Sequence, residues 1–83
     1  MTLLYFAWVR EKVGISQESV NPPDTVRTVD ELITWLSNRS TKYADAFSDR
    51  KLVKTAVDQV HVNARAGIQG AKEVAFFPPV TGG

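Results

Sequence analysis

The residues with the clearest chemical potential lie at the carboxyl end of the chain, which closes with Pro78-Pro79-Val80-Thr81-Gly82-Gly83. The two terminal glycines have no side chains, so this end can enter a channel too narrow for other residues. Proline fixes φ, and the residue before a proline is held extended. Pro78-Pro79 therefore predicts a stiff exit from the preceding segment, and the Gly83 carboxylate is a candidate reacting group.

A terminal carboxylate must be activated before it can react. Its ordinary pKa is about 3.5, so it is ionised at neutral pH and is a poor electrophile. An acyl-adenylate, made by a partner that uses ATP, would activate it. The alternative is an inert terminus, since chain ends are commonly disordered. The two prolines, the preceding strand and the order of elements favour the reacting tail.

Conventional catalytic and metal sites are absent from the sequence. The chain has no cysteine and one histidine, which removes disulfides, thiolate zinc sites and Cys nucleophiles and leaves little room for a His-based site. His61 lies among valines in a predicted strand, so we interpret it as a packed or surface residue. Asp45 and Asp49 could share a helical face, but with no partner ligands nearby we interpret them as solvated. The scattered basic residues are interpreted in the same way.

The composition predicts one small globular domain. The chain has 83 residues, of which 43% are hydrophobic and 23% charged. Its net charge of +1 argues against nucleic-acid binding through a basic field. The longest apolar run, Leu3 to Val9, is far shorter than the roughly 20 residues of a membrane span, and no signal peptide is evident. We expect a cytoplasmic protein that binds neither membrane nor nucleic acid.

Five strands and one clear helix are predicted to position the tail. Residues 2–9 and 15–20 predict an antiparallel hairpin. A helix at about 28–38 is indicated by the capping-box spacing of Thr28 and Glu31 and by an apolar stripe. A shorter helical turn is predicted at 40–47. Later strands are predicted at 52–57 and 60–62, around a turn at Asp58-Gln59, and at 73–77, after a loop at 63–70.

These elements predict an α+β fold in which a mixed sheet of about five strands packs on one main helix. Since side chains alternate along a strand, Leu3, Tyr5, Val74 and Phe76 are expected to pack under the helix. Phe6, Trp8 and Phe77 would then form an open apolar patch beside the tail, of the kind that marks an interface. A loop or the second helical turn could instead cover them. Arg10 is either a steering charge for the partner or tail, or a surface charge.

The sequence resembles the small, sulfur-carrier subunits of molybdopterin synthase, a ubiquitin-like β-grasp family. The strongest match is the terminal run from Glu73 to Gly83, Glu-Val-Ala-Phe-Phe-Pro-Pro-Val-Thr-Gly-Gly. A second match is Phe6-Ala7-x-x-Arg10-Glu11-x-x-Gly14, and a weaker one is Ala56-Val57-Asp58-Gln59. Two departures affect turns: the turn glycine before the last strand is displaced to Gly70, and Asp58 replaces the usual Asn.

The resemblance implies a β-grasp domain over residues 1–79 and a flexible Gly-Gly tail over residues 80–83. It further implies that an adenylyltransferase related to ubiquitin-activating enzymes adenylates Gly83 with ATP. A sulfurtransferase would supply the sulfur that turns Gly83 into a thiocarboxylate. The tail, Pro78 to Gly83, would then enter the large subunit of a heterotetrameric synthase and deliver sulfur to cyclic pyranopterin monophosphate, forming the molybdopterin dithiolene.

In this scheme the chain is a carrier and not an enzyme by itself, and it binds no cofactor and no metal. Two other functions remain open. One is a ubiquitin-like carrier of another pathway, such as thiamine synthesis, tRNA thiolation or conjugation to lysines. The other is a β-grasp interaction module with an inert tail.

Overall fold

The computed structural model describes residues 1–79, so the predicted flexible tail at 80–83 lies outside the described residues. Five strands and three helices follow one another in the order β1 (Thr2–Tyr5), α1 (Ala7–Val13), β2 (Gln17–Ser19), α2 (Val29–Ser37), α3 (Thr41–Ala46), β3 (Lys54–Val57), β4 (Val60–Val62) and β5 (Glu73–Phe77). A 3-10 turn at Arg50–Leu52 precedes β3.

The strands form one mixed sheet in the spatial order β2-β1-β5-β3-β4. β1 and β5 are parallel, and the other neighbouring strands are antiparallel. Side chains from all three helices share one buried cluster with Leu3, Tyr5, Val74 and Phe76, so the helices cover one face of the sheet. This arrangement confirms the predicted β-grasp architecture and the predicted inner face.

The main helix, α2, begins as its sequence predicts. The Thr28 hydroxyl accepts a hydrogen bond from the Glu31 backbone N–H at 3.2 Å, and a Glu31 carboxylate oxygen accepts from the Thr28 N–H at 3.1 Å. This reciprocal capping box satisfies two of the donors that a helix start leaves free. The apolar stripe of α2 is fully buried and comprises Val29, Leu32, Ile33 and Leu36. The shorter helix predicted at 40–47 is confirmed as α3.

The structure differs from the prediction at residues 6–13. The strand predicted over residues 2–9 ends at Tyr5, and residues 7–13 form the helix α1, so β1 and β2 pair without being a tight hairpin. Val9 and Val13 lie four residues apart and are both buried, as on one side of a helix. Gly14 closes α1 with a positive φ of 95°, and its N–H donates to the Arg10 carbonyl.

The second predicted hairpin is confirmed, although β3 starts at Lys54 and not at Leu52. Asp58 and Gln59 have positive φ values of 48° and 71°, which match the two-residue turn that suits the twist of paired strands. The Asp58 carboxylate also accepts hydrogen bonds from the backbone N–H groups of Lys72 and Glu73, at 2.9 and 3.0 Å. The Asp58 side chain thus ties the turn to the start of β5.

Candidate functional site at the end of the last strand

The candidate site is built around β5, the central strand of the sheet. β5 pairs along its length with β1 on one side and β3 on the other, and the last pairs are Tyr5 with Phe76 and Lys54 with Phe77. A strand bonded on both sides cannot swing, because each hydrogen-bonded neighbour fixes its position. The fold therefore gives the chain that follows Phe77 a fixed starting point and direction.

Pro78 and Pro79 continue directly from this strand and are partly exposed. The sequence predicted such a stiff exit, and both prolines lie where the chain leaves the centre of the sheet. The remaining tail residues, Val80, Thr81, Gly82 and Gly83, lie outside the described residues. Their assignment as a tail that enters a partner's pocket, with Gly83 as the reacting group, stays a prediction.

Phe6 lies next to the strand exit. Its backbone N–H donates to the Phe76 carbonyl at 3.0 Å, which continues the β1–β5 pairing by one residue, and its side chain is 48% exposed. Phe6 has extended backbone angles and is the N-cap residue of α1. The chain turns into a helix at this point, so the exposed ring stands beside the end of β5.

Trp8 does not lie where the sequence predicted. We expected it on the open face of a long first strand, but it belongs to α1, where it is half-buried and packs against the core. The Lys12 ammonium lies 5.8 Å from its ring centroid. The predicted sheet patch of Phe6, Trp8 and Phe77 is therefore wrong in its geometry, because the chain leaves the sheet before Trp8. Contact between Trp8 and a partner stays a prediction.

The open face of the sheet carries Phe77 together with a residue that the sequence reasoning left out of the site. The ring of His61 on β4 lies 5.1 Å from the ring of Phe77, centroid to centroid. The strand registers place Lys54, Ala56, Ala75 and Leu4 on the same face. His61 is exposed, which confirms its interpretation as a surface residue, but its contact with Phe77 places it at the site. Because side chains alternate between the two faces of a strand, counting residues from the correctly predicted turn at Asp58-Gln59 could have placed His61 on this face.

Leu52 is a second residue that the sequence reasoning missed. It belongs to the 3-10 turn just before β3, and its side chain is 49% exposed. β1 and β3 flank β5, so Phe6 and Leu52 are exposed apolar residues on opposite sides of the strand exit. The sequence offered no signal for Leu52, because it was predicted to be the first residue of a strand.

Arg10 is exposed on α1, four residues after Phe6. Within residues 1–79 the ion pairs are Lys12 with Asp45, Arg39 with Glu18 and Arg50 with Asp30, so Arg10 has no carboxylate partner there. This leaves its charge available to a partner or to the tail, and its role stays a prediction.

No group of three or more potential metal ligands occurs among the described residues. In the same part of the chain, no helix is long and apolar enough to cross a membrane. The arrangement can present the carboxyl-terminal extension to a partner, because the extension follows a rigid strand end that has exposed apolar residues around it. The fold places this chain in the class of ubiquitin-like β-grasp proteins, and its sequence ends in Gly-Gly.

Comparisons with known proteins identify the family. The ThiS family model matches residues 3–83, and the chain belongs to this family. It is 41% identical over 81 residues to the molybdopterin synthase sulfur carrier subunit of Escherichia coli, covering 98% of this chain and 96% of that protein. It is 31% identical over 83 residues to the protein of the same name from Haemophilus influenzae, covering 100% and 99%.

A solved structure supports the same fold. The Pyrococcus furiosus protein described as molybdopterin converting factor, subunit 1, superimposes with a TM-score of 0.74 at 27% sequence identity. The superposition covers 95% of each chain. The matches extend over nearly the whole length of both partners, so the family assignment rests on the complete domain and not on the terminal motif alone.

Proposed function

We propose that this chain is the small, sulfur-carrier subunit of molybdopterin synthase and that it carries sulfur as a thiocarboxylate on Gly83. The observation that carries the proposal is the exit of the chain from the central strand. β5 is fixed on both sides, ends at Phe77 and is followed by two prolines and then by the Gly-Gly end. The curated relatives, matched along their whole length, bear the name of this function.

The proposed cycle begins outside this chain. An adenylyltransferase binds ATP, and a Gly83 carboxylate oxygen attacks the α-phosphorus, which releases pyrophosphate and leaves an acyl-adenylate. The terminal sulfur of a persulfide on the sulfurtransferase then attacks the acyl carbon and displaces AMP, which leaves an acyl disulfide. A thiol reductant cleaves its S–S bond by exchange, which releases the Gly83 thiocarboxylate and leaves the donor sulfur in a disulfide with that thiol. The acid, base and nucleotide-binding groups belong to the partners, which accounts for the lack of a catalytic cluster in residues 1–79.

In the second half of the cycle, the tail delivers sulfur inside the large subunit. The thiocarboxylate sulfur attacks a side-chain carbon of cyclic pyranopterin monophosphate and displaces an oxygen substituent from it. Hydrolysis of the resulting thioester leaves the sulfur on the pterin and restores the Gly83 carboxylate. Two such transfers form the dithiolene of molybdopterin. Holding the sulfur on a tether makes each attack effectively intramolecular, which raises its effective concentration. The assembly is a heterotetramer of two small and two large subunits.

The docking surface proposed for the large subunit surrounds the strand exit. Phe6, Phe77 and Arg10 keep the roles expected from the sequence, and His61 and Leu52 are added on structural grounds. Aromatic side chains are effective anchors because they bury large areas with few rotatable bonds. No cofactor is needed in this chain for the proposed role, and the proposed location is the cytoplasm.

Intact mass spectrometry tests the proposal on untagged protein from cells that make active molybdenum cofactor. We expect a species heavier by the difference between a sulfur and an oxygen atom. It should react with a thiol alkylator and map to Gly83, and a Gly83-deleted chain should lack it. Oxidation of Met1 gives nearly the same mass but does not react with the alkylator.

Three results would overturn the proposal. An unmodified mass after incubation with ATP, the activating enzyme and the sulfur donor would favour an interaction module with an inert tail. Lysine-linked adducts of this chain on cellular proteins, without a thiocarboxylate, would favour a conjugated modifier. A carrier for thiamine or tRNA would instead form the thiocarboxylate but fail to convert cyclic pyranopterin monophosphate with the large subunit.

A further inference from the structure

A cleft between α2 and the β3–β4 hairpin lies apart from the tail, although Lys54 and His61, which line it, also lie on the open face of the sheet with Phe77. Its volume is about 830 Å³, within the range of ligand-binding pockets. The residues that line it include three exposed cations and the single histidine but no aspartate or glutamate: Arg50, Lys54, Arg65 and His61. This separation of charge is notable because the chain as a whole has nine acidic residues against ten basic ones.

The cations of the cleft differ in how they are engaged. Arg50 is already neutralised, since its guanidinium pairs with Asp30 and also donates to the Thr34 hydroxyl at 2.8 Å. Lys54 and Arg65 have no carboxylate within 4.0 Å among residues 1–79. Two cations on the rim are therefore available to an incoming acidic group.

The walls of the cleft suit an extended chain with an apolar residue. Val62 and Ala66 are half-buried there, above a floor of core side chains that includes Ile33 and Val53. Its outer wall is β4, the last strand of the sheet, and an edge strand leaves backbone N–H and C=O groups unpaired on one side. Such an edge can pair with an extended peptide.

We propose that this cleft docks an acidic, extended segment of a partner protein, with an apolar residue over Val62 and Ala66 and carboxylates against Lys54 and Arg65. A small polyanion fits the cleft less well. The cations of the cleft come from three separate segments, Arg50 is already paired, and no cation is buried. The cleft therefore has no compact phosphate-binding site. The proposal uses residues outside the tail, and it does not depend on chemistry at Gly83.

The test uses the full-length ¹⁵N-labelled protein and a synthetic peptide in which a Val-Leu pair is flanked by Asp and Glu residues. Amide shifts should change mainly at 53–55 and 61–66. Affinity should fall with added salt, because exposed charge pairs are screened. The double variant Lys54→Gln/Arg65→Gln should bind about fivefold more weakly, as expected for two exposed ion pairs.

A matched control removes the same charge elsewhere. Lys42→Gln/Lys72→Gln changes two exposed lysines that do not line the cleft, and it should bind the peptide as the unaltered protein does. In a charge-reversal experiment, the variant Lys54→Glu/Arg65→Glu should no longer bind the acidic peptide. It should instead bind a peptide in which lysines replace the Asp and Glu residues. All variants change exposed side chains, and matching HSQC spectra outside the cleft would show that they fold.

Four outcomes would overturn the proposal. The shifts could spread over lysines outside the cleft, the Gln/Asn version of the peptide could bind equally well, or the control variant could lose as much affinity as the cleft variant. Finally, inorganic pyrophosphate could shift the same amides at lower concentration than the peptide does, and the cleft would then be a small-anion site. None of these readouts involves Gly83, so failure here is distinguishable from failure of the sulfur-carrier proposal.

Discussion

The hydroxyl group of Tyr5 donates a hydrogen bond to a carboxylate oxygen of Glu18 at 2.7 Å, joining β1 to β2 beneath the helices. The Tyr43 hydroxyl of α3 donates to the same oxygen at 2.6 Å, and the Arg39 guanidinium lies 3.6 Å from the other. Tyr5 is 1% exposed. The Tyr5 pKa is raised well above the usual tyrosine value, mainly because the hydroxyl is buried and secondly because it donates a hydrogen bond to Glu18.

This raised pKa predicts a loss of stability in alkali. Tyr5 stays protonated in the folded state but ionises in the unfolded state above the ordinary tyrosine pKa of about 10. The contribution of Tyr5 to the free energy of unfolding is therefore complete below that pH and declines above it. The free energy of unfolding should fall by about 1.4 kcal/mol per pH unit from this residue. Urea unfolding of the unaltered protein and Tyr5→Phe, between pH 8 and 11, measures the difference.

The two unfolding curves should differ by about 1–3 kcal/mol at pH 8, because Tyr5→Phe removes a hydrogen bond to a charged acceptor. They should converge above pH 10. Parallel curves across the whole range would contradict the assignment of the alkaline loss to Tyr5.

The turn at Asp58-Gln59 gives a second prediction. Asp58→Ala removes the carboxylate that accepts two backbone N–H groups and leaves an alanine at positive φ, so we expect a loss of about 2 kcal/mol. Asp58→Asn keeps an accepting oxygen and should cost much less. Gln59→Gly should gain about 0.5–1 kcal/mol, since glycine tolerates this φ. Thermal unfolding of the three variants would test the order, and equal losses for Ala and Asn would refute the role of the side-chain oxygen.

Sequence reasoning succeeded where a local signal and the packing agreed. The capping box at Thr28 and the apolar stripe that follows it predicted the bounds of α2 closely. The β-prone runs on either side of Asp58-Gln59 predicted the second hairpin. It failed at α1, because a short apolar run such as Leu3 to Val9 does not by itself distinguish a strand from a buried helix. The pair Val9 and Val13, followed by Gly14 as a helix-ending glycine, was the signal for a helix. Leu52 and the contact of His61 with Phe77 depend on which strands become neighbours.

Ala7, the residue at which β1 gives way to α1, supports a third prediction. It has a positive φ of 52°, a conformation that is costly for residues with a side chain. Ala7→Gly should therefore be neutral or stabilise by up to about 1 kcal/mol, whereas Ala7→Val should destabilise by about 1–2 kcal/mol. Ala44 in α3 is the matched control, because glycine in an ordinary helix interior costs about 1 kcal/mol. Equal losses for glycine at both positions, measured by chemical unfolding, would contradict a strained Ala7.

The last prediction separates docking from folding at Phe6. Phe6 is 48% exposed beside the strand exit and is an N-cap residue without a side-chain cap, and aspartate is a favourable N-cap. Phe6→Asp should therefore keep or raise the free energy of unfolding, yet weaken binding to the large subunit by about 30-fold or more, as for a hot-spot aromatic. Val60→Asp is the control, since Val60 is 62% exposed and pairs with Val57, which pairs with Val74 near the start of β5, away from the strand exit. Calorimetric titration with the large subunit should show unchanged affinity for Val60→Asp. If the two variants lost affinity equally, general charge repulsion would explain the effect, and Phe6 would not be an anchor of the docking surface.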